Sequence, residues 1–394
     1  MKDFVKNLAA DYSRLQLEHF HHLHAHPELS FEEYETSAYI KKQLTALGIR
    51  LEEGIRGTSV VGVLEGSQPG PSIAFRADID ALPIQEETDL EYKSTVPGIM
   101  HACGHDSHAA TLLALAKLLA DHPELVKGKV KFIFQSAEEK IPGGAKGLCE
   151  DGVMKDVDAI YGLHCSSLMP MGLITSNIGP NSACIGIYEV TVHGKGGHGS
   201  APHDAVNPVP VACMLASAIN QILAEKASPL ERAVFTVSYI RGGEYPNIIP
   251  SEVTLGGNLR TFNNQLTAGL FEQLHKICDG ICGAYGCTCD VHTTVGYPST
   301  INQEQETLLV RQAIETMGYT WKTEEPDLGG EDFSYYLLEK PGSFFNVGMA
   351  DPQHIDQAAP HHNCRFQLDE RGLLIALELE LAVYLKAAGS DIPV

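Results

Sequence analysis

Residues 101–108 read HisAlaCysGlyHisAspSerHis, one cysteine and three histidines within eight positions. Cys103 and His105 sit two apart, so on a turn their side chains can converge on one ion. Thiolate and imidazole both suit borderline divalent metals such as zinc. Gly104 between them eases a tight turn. The apolar run Ala109, Leu112, Leu113, Leu115, Ala116, Leu118, Leu119 then follows helical spacing, which puts the pair at a helix N-terminus. A helix dipole there is expected to lower the thiol pKa and favour metal binding. A capped helix with a buried thiol and incidental histidines would read the same way, so corroboration must come from elsewhere in the chain.

The elements around this cluster alternate between helix and strand. A long N-terminal helix ends near residues 27–29, and a second covers about 32–47. Strand-like runs follow at 59–64, 72–78, 130–134 and 159–163. Several are nearly continuous apolar runs separated by helices, the pattern of strands buried on both faces of a mostly parallel sheet. In such sheets chemistry gathers beyond the carboxyl ends of the strands. Asp78 and Asp80, then Glu138 and Glu139, then His164 fall at those ends, beside the 101–108 segment.

Between about 185 and 296 the order changes to strand (188–193), helix (205–225), strand (233–240), strand (253–260), helix (264–284), strand (287–294). This βαββαβ order is ferredoxin-like. It predicts an inserted lid or dimerisation domain over 185–296 within a discontinuous metal-binding domain, 1–184 and 297–394. A helix at 304–317, a strand at 343–348 and a closing helix at 369–388 complete the first domain.

The chain has 394 residues and a formal net charge of −22. Two domains are the natural expectation at this length. The acidity argues against nucleic acid and anionic membrane partners. No run is read as a membrane span, and the amphipathic N-terminus has no signal-peptide pattern, so a cytoplasmic location is expected. The ten cysteines are too dispersed for a disulfide framework. Cys278 and Cys282 share a helix face, with Cys287 and Cys289 on the next strand, and they read as structural.

The final piece is AlaProHisHisAsn at 359–363, a histidine pair ahead of the last helix. With Cys103, His105, Glu139 and His164 it supplies the fifth ligand that a two-metal centre needs. Two ions about 3.5–4 Å apart activate a water and clamp the oxygen of a tetrahedral intermediate. Adjacent residues on an extended segment point in opposite directions, so one of Glu138 and Glu139 can coordinate while its neighbour acts as general base.

In register along the chain stand ArgAlaAspIleAspAlaLeuPro (76–83), MetHisAlaCysGlyHisAsp (100–106), GlnSerAlaGluGlu (135–139), GlyLeuHis (162–164), GlyLysGlyGlyHisGlySerAlaProHis (194–203), AsnIleIlePro (247–250), GlyGluAspPhe (330–333) and HisHisAsnCysArgPhe (361–366). On these motifs the chain resembles the two-metal aminoacylase and carboxypeptidase family of metallopeptidases, in its amidohydrolase branch of hippurate and indole-acetyl-amino-acid hydrolases. The resemblance implies Cys103, His105, Glu139, His164 and His362 as ligands to two divalent ions (zinc, manganese, cobalt or nickel), with Glu138 as acid/base. It implies His198 as an oxyanion stabiliser, delivered from the partner subunit in dimeric members. Asn247 and Arg260 would hold the substrate carboxylate, and Asp80 would orient a ligand imidazole. His101 and His108 then support the turn and helix, and Glu331 receives no specific task.

The implied reaction is hydrolysis of an N-acyl-amino acid by a homodimer joined through the inserted domain. A dipeptidase or carboxypeptidase is the alternative, and a non-catalytic binding protein is a remote one. Ser136 and Cys364 stand where the branch usually has proline. The segment 164–171 is also unusual, and bears on the acyl pocket.

Overall fold

The computed structural model describes residues 1–389 as two compact units. The first holds Met1–Asn181, Ile301–Glu325 and the stretch from Asp332 onward; the second holds Ser182–Thr300 with Pro326–Glu331.

The first unit is built on an eight-stranded sheet. Its strands run in the order Arg50–Leu51, Val60–Glu65, Lys127–Gln135, Gln68–Asp78, Ala159–Pro170, Gly342–Ala350, Leu173–Thr175, Thr320–Lys322. The central pairings, among them Gln68–Asp78 with both of its neighbours and Ala159–Pro170 with Gly342–Ala350, are parallel. Antiparallel pairings join Val60–Glu65 to Lys127–Gln135 and Leu173–Thr175 to Gly342–Ala350.

Period-two alternation explains why both faces carry helices. Ile73, Phe75, Phe132, Phe134, Tyr161 and Leu163 belong to one core, with the helices Lys2–Ala25, His105–Asp121 and Arg371–Ala387. The intervening Ala74, Ile133 and Ile160 point to a second core, completed by Ala145, Leu148, Tyr336 and Leu337 from the short helices Gly144–Asp151 and Ser334–Glu339. The His105–Asp121 helix is buried along nearly its whole length. That burial fixes the position of its N-terminus, where the cysteine and histidine cluster begins.

The second unit is a four-stranded antiparallel sheet in the order Ala233–Arg241, Glu252–Thr261, Cys184–His193, Thr288–Val295. This is the ferredoxin-like arrangement. The helices Pro208–Lys226 and Asn264–Ala284 cover Tyr188, Val190, Val192, Leu255 and Leu259. Cys278, Cys282 and Cys287 are buried in that core as free thiols.

Three expectations need correction. His164 lies inside a strand, because parallel pairing with Gly342–Ala350 continues through its register partner Asn346. The segment after Gln135 bends instead of staying extended, and Ala137 has a left-handed φ of 54°. Among the described residues one helix, Pro208–Lys226, is long and apolar enough by length and composition to cross a membrane. It passes because small and apolar residues lie all round it, while Val211, Leu215, Ile219 and Ile222 pack into the second unit's core.

Candidate metal centre

Gly104 is the N-cap of the His105–Asp121 helix, with φ 90°, a conformation that favours glycine. This turn brings Cys103 and His105 to the ends of the central strands. The donor atoms of Cys103, His105 and Glu139 lie within 4.8 Å of one another, and so do those of Cys103, His164 and His361. The two triads share the Cys103 sulfur.

The hydrogen bonds choose which ring nitrogen each histidine presents. His105 Nδ1 lies 3.0 Å from the Asp80 carbonyl oxygen and 3.2 Å from Asp80 Oδ1, so Nδ1–H donates there and Nε2 faces the cluster. His164 Nδ1 donates to the Cys165 carbonyl at 2.7 Å, which leaves Nε2 at 3.5 Å from Cys103 Sγ. A ligand imidazole held by its far nitrogen in this way is the usual support of a metal site. His108 is differently engaged. Its Nε2 accepts the Cys165 N–H at 2.9 Å and its Nδ1–H donates to Asp78 Oδ1 at 2.6 Å, so both nitrogens are occupied. His101 is buried with neither ring nitrogen hydrogen-bonded.

Asp80 also organises the carboxylates. Its Oδ1 accepts the Glu138 N–H and its Oδ2 the Glu139 N–H, both at 3.0 Å. Glu138 is buried, and Glu139 Oε1 lies 3.1 Å from His362 Nε2 and 4.0 Å from His105 Nε2. His105 Nε2 is buried without a hydrogen-bond partner, and Glu139 Oε1 is buried with only the His362 ring against it. An orphaned ring nitrogen of this kind is rare in a folded protein, and one that converges with a carboxylate oxygen and a thiol fits a divalent cation.

The electrostatics agree with a centre that wants positive charge. Burial alone would lower the His105 pKa, but the Asp78 carboxylate beside it holds it well above the ordinary range. Hydrogen bonding to Glu139 raises that of His362. His164 and His361 go the other way, through burial and the neighbouring His108, and His361 falls to about 4. The thiol expectation is reversed. Burial pushes the Cys103 thiol well above its usual value and outweighs His105, and a cation held there would favour the thiolate.

Asp78 connects the centre to a buried network below it. Arg76 donates to Asp78, Gln135 and Asp332, with Nη1 to Asp78 Oδ2 at 2.7 Å and Nη2 to Asp332 Oδ1 at 2.8 Å. Ser136 uses its own N–H, which proline would lack, to donate to Ser59 Oγ at 3.0 Å.

His198, Asn247 and Arg260 belong to the second unit. His198 and Asn247 meet on a small ribbon in which Gly197–His198 pairs with Ile248–Ile249 and Gly199 N–H donates to the Asn247 carbonyl at 2.9 Å. His198 is exposed, with Nδ1 at 2.8 Å from Ser200 Oγ. Arg260 is half-buried on Glu252–Thr261, where it donates to the Leu259 carbonyl at 3.2 Å. Sequence reasoning placed Asp78 at a strand end without giving it a role, and set His361 aside as the less favoured half of its pair. The HisHis doublet and the AspIleAsp spacing were the signals available.

A discontinuous, helix-covered sheet with a two-triad Cys/His/Glu cluster and a buried neighbouring carboxylate defines a two-metal hydrolase. The sequence profile of peptidase family M20/M25/M40 matches residues 74–383, and the chain belongs to that family. Thermostable carboxypeptidase 1 of Saccharolobus solfataricus is 40% identical over 351 residues, 88% of this chain and 89% of the relative. N-acetyl-L-cysteine deacetylase of Bacillus subtilis is 39% identical over 355 residues, 90% of this chain and 84% of the relative. The crystal structure of Bacillus subtilis YxeP, described as a dinuclear metal-binding peptidase of the M20 family, superposes with a TM-score of 0.83 at 32% identity, covering 97% of this chain and 99% of that one.

Proposed function

We propose that this protein hydrolyses the amide bond of N-acyl-amino acids, releasing a carboxylic acid and a free amino acid. The carrying observation is the pair of donor triads that share Cys103, with His105 Nε2 left without a hydrogen-bond partner and Glu138 beside them. Cys103, His105, Glu139, His164 and His362 would hold two divalent ions, with His361 close enough to assist. Bound there, the ions supply a polarised amide carbonyl and a water of lowered pKa.

The chain's own groups do the rest. Glu138 takes the proton of the attacking water and returns it to the departing amine nitrogen. His198 donates to the oxygen on which negative charge develops. Asn247 and Arg260 hold the substrate's carboxylate, for which a guanidinium fork is suited. Asp80 holds the His105 ring and both glutamate N–H groups.

Thiolate and imidazole donors suit zinc, cobalt or nickel, and the carboxylate widens the choice to manganese. The ten unpaired cysteines fit the reducing cytoplasm. The exposed His198 fits action across a homodimer joined by the second unit.

The test is a panel of N-acetyl-, N-benzoyl- and indole-acetyl-amino acids and unblocked dipeptides, with each metal returned to apoprotein. Release of amino acid from the acylated compounds is expected, with Glu138→Ala inactive at full metal content. The identity of one relative as a carboxypeptidase keeps peptide substrates in view, and preference for unblocked dipeptides would overturn the acyl reading. Mixing Glu138→Ala with His198→Ala protein should restore activity if the histidine crosses between subunits.

A further inference from the structure

Four consecutive backbone N–H groups lead into the two glutamates, and side chains from elsewhere accept all of them. Ser59 Oγ takes that of Ser136, Glu33 Oε1 that of Ala137 at 2.8 Å, and the two Asp80 oxygens those of Glu138 and Glu139. Successive N–H groups around a left-handed residue form a concavity that attracts anions. Here the protein's own carboxylates fill it.

Glu33 is the less expected of the two. It stands at the N-cap of the Tyr34–Ala46 helix, 104 residues before Ala137, and is fully buried. Its Oε1 also accepts the Phe31 N–H at 3.0 Å, and its Oε2 accepts the Thr58 hydroxyl at 2.5 Å. Among the described residues, the non-glycine residues with left-handed φ are Phe31 (69°), Ala137 (54°) and His362 (63°). One carboxylate oxygen therefore binds the N–H of two of the three. A Cβ makes that backbone region unfavourable, so each turn needs an outside partner to persist.

We infer that Glu33 is a positioning residue for Glu138 and Glu139. By holding Ala137 left-handed it turns the chain after Gln135, so that the two glutamates that follow aim at the centre. The inference rests on the roles proposed above for those glutamates. It requires the geometry of an acceptor, not the charge. Glutamine can present Oε1 to both N–H groups and donate Nε2–H to Thr58, whose hydroxyl accepts as readily as it donates.

The test uses Co²⁺ titration of the full-length apoprotein, followed by visible absorption, with kcat and KM on N-acetyl-L-methionine and circular dichroism as a check of folding. Glu33→Ala is expected to weaken Co²⁺ binding and lower kcat about 10–100-fold, with KM moved less than about threefold. Glu33→Gln should stay within about threefold of wild type. Ala137→Gly, placed in the Glu33→Ala background, should recover most of the loss, because glycine holds that φ unaided. Unchanged Co²⁺ affinity in folded Glu33→Ala, equal damage from glutamine and alanine, or no recovery by glycine would each overturn the inference. If the alanine variant does not fold, Glu33→Asp keeps the charge but shortens the reach, and wild-type Co²⁺ binding there overturns it equally. Full activity in Glu138→Ala would instead sink the parent reading, which separates the two failures.

Discussion

Gly104 allows the energetic tightness of the centre to be worked out before any assay. A Cβ built there would lie 2.1 Å from Cys165 Sγ, 3.4 Å from Leu368 Cδ1 and 3.6 Å from Phe366 Cζ, at a φ of +90°. The backbone cannot step aside easily. The Gly104 carbonyl accepts the Ser107 N–H and hydroxyl and the His108 N–H, while the Cys165 N–H is held by His108. Gly104→Ala thus combines a left-handed penalty of roughly 1–2 kcal/mol with an overpacking penalty of about 1–3 kcal/mol. A total of about 2–5 kcal/mol is a large part of a typical domain's stability. Urea unfolding of metal-free wild type and variant, followed by tryptophan fluorescence from Trp321 in the first unit, measures it. Adding Cys165→Ala removes the overlap but not the φ term, so the double-mutant cycle should show about 1–3 kcal/mol of coupling. A Gly104→Ala variant within 0.5 kcal/mol of wild type, an estimate of ordinary surface effects, would refute the reasoning.

Three further outcomes are expected. His24 is buried between Asp106 Oδ2, 2.6 Å from Nδ1, and Glu86 Oε1, 3.3 Å from Nε2; burial lowers its pKa, but these partners raise it to about 9. A raised pKa contributes stability that is complete below the unfolded value near 6.5 and lost as pH rises through about 9, here about 3 kcal/mol; the unfolding free energy of wild type should fall across that window more steeply than that of His24→Gln, and parallel curves would refute it. Removing ions with a chelator should lower the melting temperature, since His105 Nε2 is then buried unpartnered at about 1–3 kcal/mol; an unchanged melt after metal content falls to zero counts against the centre. Asn263 caps the Asn264–Ala284 helix by accepting the Gln265 and Leu266 N–H groups, so Asn263→Ala should cost about 0.5–2 kcal/mol in the second unit's melt without altering metal content.

The elements were legible because their residues obey local rules. Buried strands read as apolar runs with alternate faces, and the βαββαβ order of the second unit follows from turn and period signals. What stayed hidden depends on contacts distant in sequence. His164 seemed to follow a strand because its polar side chain breaks the apolar run, but the ladder to Asn346 continues regardless of side-chain polarity. The two-residue strands that join His198 to the Asn247 segment are too short to carry a period. His361 and His362 cannot be told apart by type. Motif resemblance favours His362, and in space the two part, His361 toward Cys103 and His164, His362 against Glu139.

The residues that break local rules make the same point from the other side. Phe31, Ala137 and His362 each adopt a left-handed φ without being glycine; Ala137 directly precedes the two glutamates, His362 lies against Glu139, and Phe31 is tied to Ala137 through Glu33. Their N–H groups are all taken, two by Glu33 and that of His362 by the Ala102 carbonyl at 2.8 Å, next to Cys103. A sequence reader applying propensities gives these positions ordinary backbone, and so leaves Glu138 and Glu139 on an extended strand. For Ala137 and His362 the structure pays that propensity back through hydrogen bonds to partners 104 and 260 residues away, and for Phe31 through Glu33 two residues on. Local conflict and long-range compensation occur together here because a centre that binds cations needs donors fixed in directions that regular strands and helices do not offer. The same logic makes the cost of removing any one partner larger than a single surface hydrogen bond, since the turn it holds has no intrinsic preference to stay.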